Sequence, residues 1–444
     1  MNWIYLLSGK RFGETDNLSQ SETRSRFEQD YDRIIFSHPF RKLQDKTQVF
    51  PLPEDDFVHT RLTHSLEVSS VGRSLGKEVG NVIIEKDAEL KRSGFTYNDF
   101  GAVTAAASLA HDLGNPPFGH SGESGISTFF SNTGKGKLFK ELISEKEWSD
   151  LTHFEGNAQG FRILNSSMYG GLKLTYATLA AFTKYPKDSS TPSQKGRKSQ
   201  KKYGFTQSEQ EIFESIANEL GLIEQGDKIW CRHPLTFLVE AADDICYNII
   251  DLEDGTRLGL VPFEDTKRML ADIIGKRFSE EKLNRIPDLN EQLGTLRALA
   301  IHQLITEVKE LFLENNRKIM EGTFDSALTD MIPSASALKT ISDVSIKKIY
   351  RSKQVLEREA AGYEVIEKLM EGFTYAVYFT RFRKEEKSPK HVSLYRLLPE
   401  AIQYEIEHHA DTVFTSMQVV TDFISSLTDS SALKLYKTIG GFRI

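Results

Sequence analysis

The sequence predicts an all-α protein, and three observations support that fold class. Apolar residues recur at helical spacing after residue 60, at Leu66, Val71, Leu75, Val79 and Val82. Residues 103–110 form an Ala-rich run that favours a helix. From about residue 261 onward amphipathic helical patterns follow one another, and strand patterns are few. We therefore expect helices packed around a central site.

Local signals place the first helices. Residues 1–30 are mostly polar, and we expect them to be irregular. A long helix opens near residue 60, and Asn98 or Asp99 can cap the Ala-rich helix. That second helix should end at His111-Asp112, because a Gly and a Pro pair follow.

Further helices are predicted along the chain. Residues 152–164 should form one, and Pro234 should begin another that runs to Gly255. We predict a single large helical catalytic core over residues 1–260, with a C-terminal helical region, residues 261–444, packed on it.

Composition narrows the function. No window of 18 uncharged apolar residues exists, so the sequence predicts no membrane span. Cys231 and Cys246 make no disulfide framework, and the N-terminus lacks a signal-peptide pattern, which favours the cytoplasm. The net charge of −7 argues against a general nucleic-acid coat, although a local basic site fits.

The stretch from His111 to Glu123 carries the densest set of chemically active side chains. After His111-Asp112, a loop rich in Gly and Pro leads to His120 and Glu123. An adjacent His-Asp pair offers metal ligands, and a His three residues from a carboxylate suits proton transfer. The alternative interpretation of this stretch is a helix cap followed by a solvated turn, without a chemical role.

A second acidic group lies on the helix after Pro234. Asp243, Tyr247 and Asp251 are spaced by four and share one helical face, where a cation would compensate a buried carboxylate. A solvated face is the alternative. With His64, the residues His111, Asp112 and Asp243 would give two nitrogen and two oxygen ligands, which suits Mg, Mn or a similar divalent transition metal.

Residues 184–202 form a basic segment, with seven Lys/Arg and a single Asp. Two interpretations stay open for it. It is either a mobile surface loop or a loop that folds over phosphates.

The order His64, His111-Asp112, Asp243 resembles the signature of HD-domain phosphohydrolases. The flanking residues resemble more narrowly the deoxyguanosinetriphosphate triphosphohydrolases (dGTPases) of the dNTP triphosphohydrolase family, strongly over residues 1–260 and weakly beyond. The matching segments are Arg41-Lys-Leu-Gln-Asp-Lys-Thr-Gln-Val-Phe, Arg61-Leu-Thr-His-Ser-Leu-Glu-Val, His111-Asp-Leu-Gly-Asn-Pro-Pro-Phe-Gly-His-Ser-Gly-Glu, Phe154-Glu-Gly-Asn-Ala-Gln, Lys184-Tyr-Pro and Glu240-Ala-Ala-Asp-Asp-Ile-Cys-Tyr.

The resemblance implies an HD-type helical fold and hydrolysis of a dNTP, with dGTP first, to deoxynucleoside and inorganic tripolyphosphate. It implies a divalent metal held by the four residues named above. It also implies that Glu123 orients His120, which handles a proton, and that His153 lies near the phosphates.

The same resemblance implies a set of substrate contacts. Phosphate contacts are expected from Arg61, Asn115, Lys184 and Tyr185. Sugar and base contacts are expected from Tyr247, which packs on the sugar, from Asp251 and Gln48 at the 3′-hydroxyl, and from Val49 beside the base.

Partners and alternatives complete the prediction. The resemblance implies a homo-oligomer, a tetramer or hexamer, and the basic segment suggests an allosteric nucleotide or single-stranded DNA. One alternative function is an HD phosphohydrolase that acts on another nucleotide phosphoester. The other is a nucleotide- or single-stranded nucleic-acid-binding sensor.

Overall fold

The computed structural model describes residues 1–14, 23–49, 58–166, 171–194 and 196–442, and their regular secondary structure is almost entirely helical. This confirms the predicted fold class. Within those ranges the one sheet pairs two short antiparallel strands, β1 (Glu224–Gly226) and β2 (Ile229–Trp230). The α-helices are α1 (Trp3–Leu6), α2 (Arg26–Ile35), α3 (His38–Lys42), α4 (Arg61–Lys86), α5 (Ala88–Arg92), α6 (Tyr97–Ala110), α7 (His120–Asn132), α8 (Gly134–Lys137), α9 (Glu145–Thr152), α10 (Gly156–Asn165), α11 (Tyr176–Phe182), α12 (Gln210–Leu220), α13 (Thr236–Arg257), α14 (Phe263–Ile274), α15 (Glu280–Asn284), α16 (Leu289–Glu314), α17 (Asn316–Met320), α18 (Ala335–Ser345), α19 (Lys353–Arg381), α20 (Pro389–Arg396), α21 (Glu400–His408), α22 (Val413–Ser425) and α23 (Asp429–Ile439).

Several predicted boundaries were wrong. The N-terminal thirty residues are not simply irregular, because α1 and the start of α2 lie there. Thr96, rather than Asn98 or Asp99, caps α6, and Asp99 is its partner in a capping box. The helix predicted over 152–164 is two helices, α9 and α10, separated at residues 153–155. Helix α13 begins two residues after Pro234.

Helices α4 and α6 pack closely because α4 presents glycines every four residues, at Gly72, Gly76 and Gly80. A Cβ atom on Gly76 would lie 2.7 Å from the carbonyl oxygen of Phe100 on α6. This close approach brings the N-terminal turns of α4 beside the C-terminal end of α6. The two histidines predicted as ligands lie at those two ends.

Two apolar clusters hold the fold together. The larger one extends from Trp3 to Val355, and the second combines residues 126–151 with residues 365–432. The predicted division after residue 260 does not coincide with either cluster, and it stays a prediction about where the catalytic residues lie. Among the described residues, none of the helices combines the length and the apolar character that crossing a bilayer requires.

Candidate active site

Three helices deliver ligand-type side chains to one point. His64 comes from the first turn of α4, His111 follows the last turn of α6, and Asp243 lies within α13. Asp243 Oδ1 is 3.2 Å from His64 Nε2 and 3.5 Å from His111 Nε2. One ligand atom from each residue lies within 4.8 Å of the others.

The protonation of His111 fits metal binding. Its Nδ1 lies 2.7 Å from the carbonyl oxygen of Ser108, which fixes the ring with the proton on Nδ1. Nε2 therefore presents its lone pair to the point where the three residues meet. Two imidazole nitrogens and a carboxylate oxygen are a donor set that suits a divalent transition metal or magnesium.

Asp112, the fourth predicted ligand, lies beside this group. Its Oδ1 is 3.5 Å from His111 Nε2 and accepts a hydrogen bond from Asn115 Nδ2, while Oδ2 accepts one from Arg61 Nη1 at 2.9 Å. Burial alone would raise the pKa of Asp112, but the Arg61 guanidinium lowers it below its ordinary value. The carboxylate is therefore ionised and oriented toward the two histidines.

Arg61 is almost fully buried, with its side chain 10% exposed. One Nη is bonded to Asp112, whereas the Nε–H is buried and has no hydrogen-bond acceptor. A buried donor without an acceptor is costly unless a ligand supplies one. Arg61 also lines the cleft described below, so an anionic ligand there would supply that acceptor.

His120 and Glu123 form the predicted pair at the start of α7. His120 Nδ1 lies 2.9 Å from Glu123 Oε2, and Glu123 Oε1 accepts a hydrogen bond from the Gly156 backbone N–H at 2.8 Å. Burial alone would raise the pKa of Glu123, but the bond to His120 and the nearby Lys202 lower it. The Glu123 carboxylate fixes the His120 ring through Nδ1, while most of the ring surface stays exposed to solvent.

Apart from His64, which is buried, these groups line one open cleft of about 360 Å³. That volume lies in the range of small-molecule sites. The lining residues include Thr47, Gln48, Val49, Arg61, His111, Asp112, Asn115, Phe118, His120, Glu123, Glu155, Lys184, Tyr185, Lys202, Glu240, Asp243, Tyr247, Tyr350, Val355, Arg358 and Glu359.

Both ends of the basic segment reach this cleft. Lys184 lies 3.3 Å from Glu240, and Lys202 lies 2.8 Å from Glu155. Burial would lower the pKa of Lys184, but the Glu240 carboxylate raises it above its ordinary value. Ser199 and Gln200 are buried, so this end of the segment is packed on the protein, whereas residues 192–194 are exposed.

Asp251 is not among the residues that line the cleft, and its contact with the 3′-hydroxyl stays a prediction. Its side chain is buried, and its Oδ2 accepts a hydrogen bond from the Tyr350 hydroxyl at 2.7 Å. Burial raises the pKa of Asp251 to about 8. The ring of Tyr350 stacks on Tyr247, with 5.6 Å between centroids, so these two rings form the cleft wall in front of Asp251.

His153 is also outside the cleft. It caps the C-terminal end of α9, and its Nδ1 contacts the Ser149 carbonyl oxygen at 3.0 Å. The sequence interpretation placed it on a helix that continues to residue 164, but the chain leaves the helix at this residue. The exposed His153 ring therefore lines a surface groove beside Lys137 and Trp148, and not the cleft.

Residues that the sequence interpretation missed come mainly from the C-terminal half. Tyr350, Val355, Arg358 and Glu359 line the cleft, from the end of the turn Ile346–Tyr350 and from α19. No local motif marks them. Only their packing against α7 and α13 brings them to the site.

Comparison with known proteins agrees with this geometry. Residues 61–153 match the HD domain, and residues 329–438 match the phosphohydrolase-associated domain. A protein of Synechocystis named deoxyguanosinetriphosphate triphosphohydrolase-like is 41% identical over 100% of both chains. A protein of the same name from Pseudomonas aeruginosa is 36% identical over 99% of each chain. The deoxyguanosinetriphosphate triphosphohydrolase of Yersinia enterocolitica is 30% identical over 93% of each chain. The resemblance thus includes the C-terminal helices.

Proposed function

The chain belongs to the deoxyguanosinetriphosphate triphosphohydrolase-like family of HD-domain hydrolases, and from this premise we propose its reaction. It hydrolyses a deoxynucleoside triphosphate, with dGTP as the leading candidate, to deoxynucleoside and inorganic tripolyphosphate, and it requires a divalent metal ion. The observation that carries the proposal is the meeting of His64, His111 and Asp243 within 4.8 Å, where His111 and Asp243 line a cleft that also holds the His120–Glu123 pair.

The metal site would consist of His64, His111, Asp112 and Asp243. Two imidazoles and two carboxylates leave coordination positions open for water and a phosphate oxygen. When bound, a divalent cation supplies Lewis-acid polarisation of the phosphoryl oxygen. Magnesium and manganese are the candidates, together with related transition metals.

His120 is the proton-handling group. Because Glu123 accepts from Nδ1–H, the Nε2 lone pair of His120 faces outward and can take a proton from the attacking water. The water oxygen then bonds to the α-phosphorus while the bond from that phosphorus to the 5′-oxygen breaks. The 5′-oxygen takes up the proton that His120 accepted and leaves as the hydroxyl of the deoxynucleoside.

The cations on the cleft wall suit a triphosphate. Arg61 offers its unpaired Nε–H, and Lys184 and Lys202 place positive charge in the lining of the same cleft. Their carboxylate partners, Glu240 and Glu155, fix both ammonium groups before a ligand arrives. Such fixed charges stabilise phosphate oxygens without reorganisation.

The sugar would lie against the stacked rings of Tyr247 and Tyr350, where a 2′-hydroxyl would be disfavoured. Gln48 Oε1 is buried without a hydrogen-bond donor, which supports its predicted role as acceptor for the 3′-hydroxyl. Asp251, which is bonded to Tyr350, is the other predicted contact of the 3′-hydroxyl. Val49, Asn115 and Tyr185 also line the cleft, in agreement with predicted contacts to base and phosphate.

The decisive experiment identifies the products. The purified protein is incubated with each of the four dNTPs in turn, with Mn²⁺ or Mg²⁺, and the products are separated by ion-exchange chromatography. Deoxyguanosine and tripolyphosphate in equal amounts are expected from dGTP. Release of orthophosphate or pyrophosphate would assign a different phosphoester reaction, and binding without turnover would favour the sensor interpretation.

A further inference from the structure

A buried carboxylate from the far C-terminal part of the chain contacts the backbone of the active-site loops. Asp429 is the first residue of α23 and is 2% exposed. Its Oδ1 accepts a hydrogen bond from the Phe118 backbone N–H at 3.0 Å. Its Oδ2 accepts from the Thr47 hydroxyl at 2.6 Å and from the Thr47 backbone N–H at 3.3 Å. One side chain thus joins two segments that line the cleft.

Both segments carry residues of the proposed reaction. Phe118 precedes Gly119 and His120, and Thr47 precedes Gln48 and Val49. Phe118 has φ of 64°, in a region that non-glycine residues rarely adopt, and Gly119 follows with φ of 59°. Gly119, the N-cap residue of α7, has no side chain to cap this turn, and the Ser121 hydroxyl donates to the Phe118 carbonyl oxygen at 2.9 Å, so the Phe118 N–H is bonded to Asp429 instead. The bond from Phe118 N–H to Asp429 therefore stabilises the conformation that aims His120 into the cleft.

The contacts require an acceptor oxygen on each side of the Asp429 side chain. Two backbone N–H groups, from different segments, point at the two oxygens of one side chain. An amide has only one oxygen, so asparagine at this position would turn an NH₂ group toward one of the two donors. Only a side chain with an oxygen atom on each side can accept hydrogen bonds from both loops.

The neighbouring corner between α22 and α23 supports the same two segments. Lys46 Nζ is buried and donates to the carbonyl oxygens of Asn115, at 2.6 Å, and of Ser425, at 2.8 Å. Arg358 of α19 donates to the Thr47 hydroxyl at 2.9 Å. The active-site loops are therefore attached to three C-terminal helices by buried polar contacts.

We propose that Asp429 is a positioning residue for catalysis: its carboxylate holds Phe118 and Thr47 together and thereby sets His120 and the segment 47–49 relative to each other. The proposal rests on the proposed function for its kinetic test. The simpler alternative is that Asp429 only stabilises the start of α23. Thr428 already caps that helix through Ser431 N–H, and both Asp429 oxygens face away from it toward the loops.

The test compares Asp429→Asn with Thr428→Ala in the full-length chain. Thr428→Ala removes the helix cap but leaves the loop contacts, so it is the matched control. We expect Asp429→Asn to lower kcat for the best dNTP substrate by about 10- to 100-fold, since small displacements of reacting groups have effects of this size. Thr428→Ala should lower the melting temperature at least as much while it keeps kcat within about twofold.

A substrate-independent readout separates this proposal from the proposed function. Hydrogen–deuterium exchange should be faster in peptides covering residues 113–123 and 46–49 of Asp429→Asn, and unchanged there in Thr428→Ala. A wild-type protein that hydrolyses no dNTP would reject the proposed function, and the exchange would still decide the role of Asp429. Wild-type exchange in both loops of Asp429→Asn, or equal kinetic loss in the two variants, would overturn the proposal.

Discussion

Replacing Glu123 by Gln tests the proton-transfer assignment with little change in shape. In the wild type Glu123 accepts from both sides, from Gly156 N–H at 2.8 Å and from His120 Nδ1–H at 2.9 Å. In Glu123→Gln the amide oxygen can still accept from Gly156, while the amide NH₂ meets His120 Nδ1. The two hydrogen bonds survive, but the second one reverses its direction.

That reversal predicts a large kinetic effect and a small effect on stability. The proton of His120 moves to Nε2, so the nitrogen that faces the cleft can no longer accept one. General-base catalysis contributes about 10²–10⁴-fold, and loss of the correct His tautomer has effects of the same order. We therefore expect kcat to fall about 10²–10⁴-fold, equal to about 3 to 5 kcal/mol in activation free energy. The free energy of unfolding should change by less than about 1.5 kcal/mol, because neither hydrogen bond is lost.

The assay measures kcat, KM and bound metal for Glu123→Gln, His120→Ala and His153→Ala. The first two should lose turnover and keep metal and KM near the wild-type values. His153→Ala is the matched control, because this histidine lies outside the cleft, and it should keep the wild-type rate. Near-normal turnover in Glu123→Gln would refute the proton-transfer reasoning. A loss in His153→Ala equal to that in His120→Ala would restore the role that the sequence implied for His153.

Four further predictions concern the metal, the sugar, pH and packing. Asp243→Ala should lose bound metal, measured by atomic emission, together with turnover, whereas Asp244→Asn should retain metal; a metal-loaded, active Asp243→Ala would exclude that ligand. The kcat/KM for dGTP should exceed that for GTP by at least about tenfold, and Tyr247→Ala should lower this dGTP/GTP ratio. Equal kcat/KM values for the two nucleotides in the wild type would reject discrimination by the sugar. Although burial opposes it, hydrogen bonds to Asp254 and Glu67 raise the pKa of His59 to about 10. The contribution of protonated His59 to the free energy of unfolding is therefore complete below about pH 6.5 and disappears as pH rises through 10. The urea midpoint of unfolding should fall over that pH window in the wild type, and it should fall less in His59→Gln. The same pH dependence of the midpoint in both proteins would contradict this. Gly76→Ala should lower the free energy of unfolding, measured by urea denaturation, by about 1–3 kcal/mol, because the new Cβ atom would meet the Phe100 carbonyl oxygen. An unchanged urea midpoint would refute the close contact.

The sequence predicted the parts of the site that lie on regular helices. His64, His111 and Asp243 were identified because they are ligand-type residues that occur in the order of the HD signature, in or beside predicted helices, and the structure brings them together. Predictions failed where a helix ended unexpectedly. His153 was assigned to a continuous helix, but the break at 153–155 turns its side chain toward the surface.

Asp251 shows a different kind of limit. The four-residue spacing correctly placed it on the same helix as Asp243 and Tyr247. Helical periodicity does not reveal what another part of the chain places in front of that face. Tyr350, 99 residues away, covers Asp251 and takes its carboxylate as a hydrogen-bond acceptor. Long-range packing of this kind leaves no local signal in a single sequence.

The C-terminal helices therefore contribute to the site rather than merely enlarging the core. Tyr350 forms a wall of the cleft, Arg358 contacts Thr47, and Asp429 contacts both Thr47 and Phe118. Each contact reaches a segment next to a proposed catalytic or binding residue. A core limited to residues 1–260 would hold all the proposed metal ligands but would lack the groups that fix the loops around them. Metal binding should thus depend on residues before 260, and turnover on both parts of the chain. Asp243→Ala should lose both properties, whereas Asp429→Asn should keep the metal and lose turnover.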